Sequence, residues 1–321
     1  MADAAFIYPN SEWQQHTEGG WDAAVLESLV LELERGGSTA MVIIDSGRLA
    51  RSWGDTAYKS SVASVSNSLI SILYGIHAGA GRIDLSATLA DLGIIDVEPL
   101  TTDERTATIR NLLAARSGVY LPSVYDTTRG RPERGSHPPG SFWFYNNWDF
   151  NVLGTVLEVQ TGENLFESFA TRVAAPLGMQ DFSPADCRYQ HGPESRHPVY
   201  KMAMSARDAR VGLLYLRGGR WNGVQVVPED WVRLSTAPHS DLGGGRGYGY
   251  LWMTVEANAL EASLSIRAPL YYASGFGGQY IIIVPALDLV VVHRAAQVDY
   301  GISHGHMGEL MRLAISARSN R

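Results

Sequence analysis

The chain has 321 residues, 45% of them hydrophobic and 18% charged, with a formal net charge of -7. That length can bury a sizeable core as one large domain or two coupled lobes, and the apolar content excludes a disordered chain. The mildly acidic balance, with no dense run of Lys and Arg, excludes the electrostatic footprint of a nucleic-acid-binding protein. Cys187 is the single cysteine, so no internal disulfide is available. The amino end, MADAAFIYPN, lacks a basic segment followed by an apolar one, and no stretch approaches the roughly 18 apolar residues of a membrane span. We therefore expect a cytoplasmic protein without a signal peptide or a membrane partner.

In chain order, Val25, Leu26, Leu29, Val30 and Leu33 give Trp21 to Glu34 a helical period that Gly36 and Gly37 end. Met41 to Ile44 and Leu49 to Trp53 read as a hairpin around Asp45-Ser46-Gly47. Ser64 to Ala80 is mostly apolar and reads as a buried helix. IDLSATLADLG, after Arg82, reads as a loop and short helix with Leu85, Leu89 and Leu92 inward. From Thr108 to Ala237 the pattern is helix-rich. The prolines and glycines of Arg129 to Gly140 mark a loop. Asp149 to Thr161 and Ser205 to Gly218 are helical in period, the second opening with Ser205 and Asp208 as an N-cap box. Strands return at Tyr248 to Val255, Leu264 to Ala268, Tyr280 to Val284 and Leu289 to His293, and Asp299 to Ser316 closes with a helix.

Strands so far apart in sequence must share one sheet. The expected fold is therefore of mixed α/β (α+β) class: an antiparallel sheet flanked by helices, with a mostly helical second lobe. Residues 20–63 and 243–321 would form the sheet lobe and 64–242 the helical lobe, with the active site between them.

Three short segments carry chemistry. Ala63-Ser64-Val65-Ser66-Asn67 enters the apolar helix, where backbone N–H groups favour developing negative charge beside a nucleophilic serine. Position 67 lies on the same helix face as Ser64, where a base would reach the hydroxyl. Tyr145-Asn146-Asn147 offers a phenol to relay a proton and an amide to orient a substrate. Ala273-Ser274-Gly275-Phe276-Gly277-Gly278 precedes a strand, and its glycines let a substrate approach the backbone.

These motifs, with PGSFWFYNNWDFNVLG, MSARDARVGLLYLRGGRWNG and GGQYIIIVPALDLVVV, resemble the serine β-lactamase and penicillin-binding-protein superfamily over about Gly37 to Ala296. Within it the chain is similar to the carboxylesterases and 6-aminohexanoate-dimer hydrolases. The resemblance implies the β-lactamase-like fold, an acyl-enzyme on Ser64, Tyr145 as proton relay and Asn147 as a substrate-binding amide. It also implies an oxyanion hole of the Ser64 and Phe276 N–H groups beside Gly275. Trp143, flanking the second motif, is a further substrate-binding candidate.

Two positions depart from the pattern. Ala273 replaces the Lys or His that opens the third motif, removing a carboxylate-binding charge. Asn67 replaces the catalytic lysine, and an amide has no useful basicity. Lys59, five residues before Ser64, is a weak candidate for a substitute. The chain is thus read as a serine hydrolase of ester or small amide bonds, impaired at Asn67, whether that residue is native or engineered. A ligand-binding pseudoenzyme and an acyltransferase are the alternatives. No cofactor and no metal are expected.

Gly301-Ile302-Ser303-His304-Gly305 matches a nucleophile elbow but lacks a following acid and a separate histidine, so it reads as a loop capping the last helix. His304 and His306 alone make no metal site, and Cys187 reads as a bystander. Tyr120, Tyr125, Trp143, Trp148, Trp252, Tyr271 and Phe276 are candidates for the pocket wall, favouring an apolar acyl or alcohol group.

Overall fold

The computed structural model describes residues 6–16, 20–125, 130–259, 261–296 and 301–318. Helix α1 (Ala23–Gly36) starts where Asp22 accepts from the Ala24 and Val25 N–H groups and stops where Gly37 takes φ +77°. Strands β1 (Ser38–Asp45) and β2 (Arg48–Gly54) form the expected hairpin. Ser46 and Gly47 both have positive φ, the twist a two-residue turn needs to match its strands. Then come β3 (Ser60–Ser61) and α2 (Val65–Gly79).

The middle contains α3 (Ile109–Leu113), α4 (Asn147–Thr161), α5 (Leu165–Phe169) and α6 (Ala175–Leu177). Next follow β4 (Arg188–Gly192), β5 (Ser195–Lys201), β6 (Ala203–Met204), α7 (Arg210–Leu216), β7 (Arg220–Trp221), β8 (Val224–Gln225) and α8 (Glu229–Ser235). The chain returns to strands in β9 (Ser240–Gly243), β10 (Arg246–Tyr248), β11 (Met253–Val255), β12 (Leu270–Gly275), β13 (Gln279–Val284) and β14 (Leu289–Ala295), and closes with α9 (His304–Ser316).

The main sheet is antiparallel, in the order β2-β1-β14-β13-β12-β11-β10-β9. Its central strands β13 and β14 are buried throughout and mostly apolar because both faces are covered. Val42, Ile44, Ile281, Ile283, Val290 and Val292 join the core shared with the middle of the chain. Met41, Ile43, Ile282, Val284 and Val291 alternate with them and face Leu29 and Leu33 of α1 and Met307, Leu310 and Met311 of α9. Helices α2 and α7, both from the 64–242 segment, pack on the first face, and β9 also begins inside that segment. Among the described residues no helix is long and apolar enough to cross a membrane.

Several expected elements differ. The short helix after Arg82 is a series of turns, because Asp84 and Asp91 accept from the Ser86 and Thr88 N–H groups and so compete with helical bonding. Ser205 does accept from the Asp208 N–H, at 3.3 Å, but this caps a turn, and α7 begins only at Arg210. The strand expected over Tyr248 to Val255 is broken into β10 and β11, with Leu251 at φ +65° between them. Leu264, Ile266 and Ala268 do alternate inward, yet without a sheet ladder. The strand lies just beyond, at β12, so the third motif ends a strand. The β4–β5 ribbon has no counterpart in the helix-rich reading. Arg129 and residues 299–300 of the expected loop and last helix lie outside the described residues.

Candidate active site

Ser64 occupies the N-cap position of α2, and its side chain makes no capping bond, which leaves the hydroxyl for other work. The helix beneath it is held on several sides. Ser68 Oγ donates to the Leu251 carbonyl at 2.5 Å, Ser71 Oγ to the Tyr250 carbonyl at 2.8 Å, and Tyr74 Oη to the Leu153 carbonyl at 2.7 Å. Ala63, just before the serine, has φ +46°, a conformation L residues rarely adopt and one that larger structure must enforce. Gly275 explains part of that enforcement. A Cβ there would overlap the Val62 carbonyl and lie 3.1 Å from the Ser64 amide nitrogen, so the end of β12 reaches the serine backbone only because position 275 has no side chain.

Tyr145 immediately precedes the start of α4. Asn146 caps that helix by accepting from the Trp148 N–H, and its own amide donates to the Val119 carbonyl at 2.7 Å and to Asp149 at 2.8 Å. The Tyr145 ring packs edge-on against Phe150 with centroids 4.8 Å apart. Burial pushes the Tyr145 phenol above its ordinary pKa of 10, opposed by hydrogen bonds with the Ser64 and Asn67 side chains. Those bonds bring Ser64, Asn67 and Tyr145 into one cluster.

The cluster opens on a cavity of about 580 Å³. Ser64, Asn67, Tyr145, Asn147 and Phe276 line it, with Phe276 64% exposed at its edge. Asn147 Nδ2 donates to the Tyr125 carbonyl at 2.6 Å. Gly275 sits behind the wall, against Ser64. Trp143 is placed elsewhere: it is not among the lining residues, and its ring packs against Tyr248 with centroids 5.6 Å apart. Of the aromatic candidates, Tyr125 and Phe276 reach the cavity, whereas Trp148 is buried and donates to Asp96 at 2.6 Å.

Lys59 is drawn away from the site by Asp186, 2.5 Å from its ammonium, and does not line the cavity. Ser303 accepts from the His306 N–H and so caps α9, as its loop context suggested. His304 Nδ1 lies 2.9 Å from Tyr280 Oη. Among the described residues the one three-membered group of metal-type side chains, Glu32, His306 and Glu309, joins α1 to α9 and not the cavity. Burial pushes the Cys187 thiol up, away from reactivity.

Sequence reasoning missed Val124, Asn151, Val199, Tyr200 and Lys201, which also line the cavity. Asn151 was within reach, because it follows Asn147 by one helical turn on the same face. Lys201 gave no such signal, since it stands on the unpredicted ribbon.

Residues 29–301 match the family model described as Beta-lactamase. The chain belongs to the Beta-lactamase family. Its likeness to solved members is one of fold. A candidate 6-aminohexanoate-dimer hydrolase from Bacillus anthracis superposes with a TM-score of 0.70 at 18% identity, over 97% of this chain and 89% of that one. A penicillin-binding protein from Bacillus halodurans gives 0.65 at 17% identity, over 90% and 99%. An octameric penicillin-binding protein homologue from Pyrococcus abyssi gives 0.66 at 16% identity, over 91% and 76%. A curated D-aminopeptidase from Brucella anthropi is 33% identical over 63 residues, a match spanning 20% of this chain and only 12% of that protein. As a member of the Beta-lactamase family, the chain has the scaffold of serine hydrolases, and its sheet and helices follow that architecture.

Proposed function

We propose that the protein is a serine hydrolase of ester or small amide bonds that works through an acyl-enzyme on Ser64 and turns over slowly because Asn67 supplies no base. The observation that carries this reading is the shared cluster of Ser64, Asn67 and Tyr145 at the wall of a 580 Å³ cavity. In this scheme Ser64 Oγ attacks the carbonyl carbon while its proton passes toward the Tyr145 oxygen. The developing oxyanion would lie toward the Ser64 and Phe276 N–H groups, a placement that the close approach of Gly275 to the Ser64 backbone supports. Tyr145 then returns a proton to the leaving group, and water releases the acyl group by the reverse path.

A neutral, buried phenol is a poor acceptor, and an amide beside it does nothing to correct that. Replacing Asn67 with lysine should therefore raise the cleavage of short p-nitrophenyl esters by about 10²–10⁴-fold. An unchanged rate in a folded Asn67→Lys protein would count against a simple lost base. A ligand-binding protein that kept the cavity is the second reading, favoured by the raised Tyr145 pKa beside an intact pocket. Intact mass after fluorophosphonate treatment separates the two: an adduct on Ser64 marks a nucleophile, and its absence marks a binder.

A further inference from the structure

We propose that the cavity selects substrates carrying a carboxylate, which pairs with Lys201. This rests on the hydrolase reading above and adds the chemical class of its substrate. Of the described residues that line the cavity, Lys201 alone carries a charge, so among them there is one ammonium and no acid. Among the described residues no carboxylate lies within 4.0 Å of that ammonium, whereas Lys59 is paired.

Lys201 is steered rather than neutralised. Its Nζ donates to Tyr125 Oη at 2.5 Å and lies 4.7 Å from the centre of the same ring. Tyr125 Oη in turn donates to Gln190 Oε1 at 2.8 Å, which fixes the phenol as an acceptor toward the lysine. An ammonium has three donors, and among the described residues only Tyr125 takes one, which leaves two for a ligand. Tyr125 holds φ +60°, and its carbonyl accepts from Asn147, which ties the lysine's support to the start of α4. One turn along that helix, Asn151 is 5% exposed and lines the same cavity, and its amide nitrogen is buried with no hydrogen-bond partner.

A neutral acyl chain entering this space would strip water from the ammonium and return nothing. A carboxylate would supply the missing acceptors and a charge-assisted bond. Ala273 had removed a cation from the third motif; the charge in this cavity stands instead on β5.

The test uses Asn67→Lys protein, in which turnover is expected. The p-nitrophenyl monoesters of glutarate and adipate are compared with the valerate and hexanoate esters of the same length. The charged member of each pair should have the higher kcat/KM. Lys201→Met, and Lys201→Gln as a second variant, should lower the charged-to-neutral ratio at least about tenfold, mainly through KM, while Lys201→Arg keeps it within about threefold. An unchanged ratio in folded Met and Gln variants overturns the carboxylate site and leaves the hydrolase intact. If no ester is cleaved and Ser64 takes no fluorophosphonate, the hydrolase reading fails, and calorimetry with glutarate still decides the site. Binding weakened at least tenfold by Lys201→Met supports it; no binding, or unchanged binding, overturns it.

Discussion

One helical turn separates Ser64 from Asn67, and Tyr145 touches both. At this scale the chemistry turns on where a proton can go. Burial raises the phenol above its ordinary value, so the phenolate fraction at neutral pH is small and grows about tenfold for each pH unit. Ester cleavage by the unaltered chain should therefore climb steadily from pH 7 to pH 10. With Asn67→Lys, the neighbouring ammonium favours the phenolate and should bring a plateau into the neutral range. A pH–rate profile of both proteins checks this; a plateau below pH 8 in the unaltered chain would exclude Tyr145 as the limiting base.

At the scale of elements, α2 is the rod on which the site is mounted. Gly75 lies inside this helix, before its last turn, where helix propensity alone would favour alanine by about 1 kcal/mol. Here the added methyl would overlap the Trp231 indole of α8. Gly75→Ala should instead destabilise the fold by about 1–3 kcal/mol, seen as a lower midpoint in urea. A raised midpoint would show that α8 yields freely. The same elements show what could be read in advance. The hairpin at Ser46-Gly47, the apolar helix after Ser64 and the central strands all announced themselves, because period and turn residues act locally. The break at Leu251, the strand ending at Gly275 and the β4–β5 ribbon did not, because each depends on partners distant in sequence. Lys201 followed the ribbon out of view. Trp143 packs against Tyr248, because aromatic neighbours of a motif pack inward as readily as toward a ligand.

At the scale of the whole molecule, stability responds to pH through buried acids. Burial raises the Asp208 carboxyl to about 7, further lifted by Asp181 and opposed by Arg210 and Arg207. Its folded pKa is thus above the unfolded value of 3.8, so the folded state holds a proton that the unfolded state releases. That contribution is full below pH 3.8 and is lost as pH rises through 7. Asp208→Asn removes the dependence. Its Tm relative to the unaltered protein should rise between pH 5 and pH 8, measured by calorimetry at both ends. A constant difference across that range would mean that Asp208 ionises freely in the fold.

The pairing of β1 with β14 sets an order of events during translation. Every described residue that lines the cavity lies between 61 and 276, so a ribosome at codon 288 has already made that wall. It has not yet made the strand that must slot between β1 and β13. Until β14 emerges, β1 is paired with β2 on one side only, and its other edge, at Val42 and Ile44, is open to sticky pairing between nascent chains. A chain released early at that point would be a complete set of tools without the clasp that closes the box.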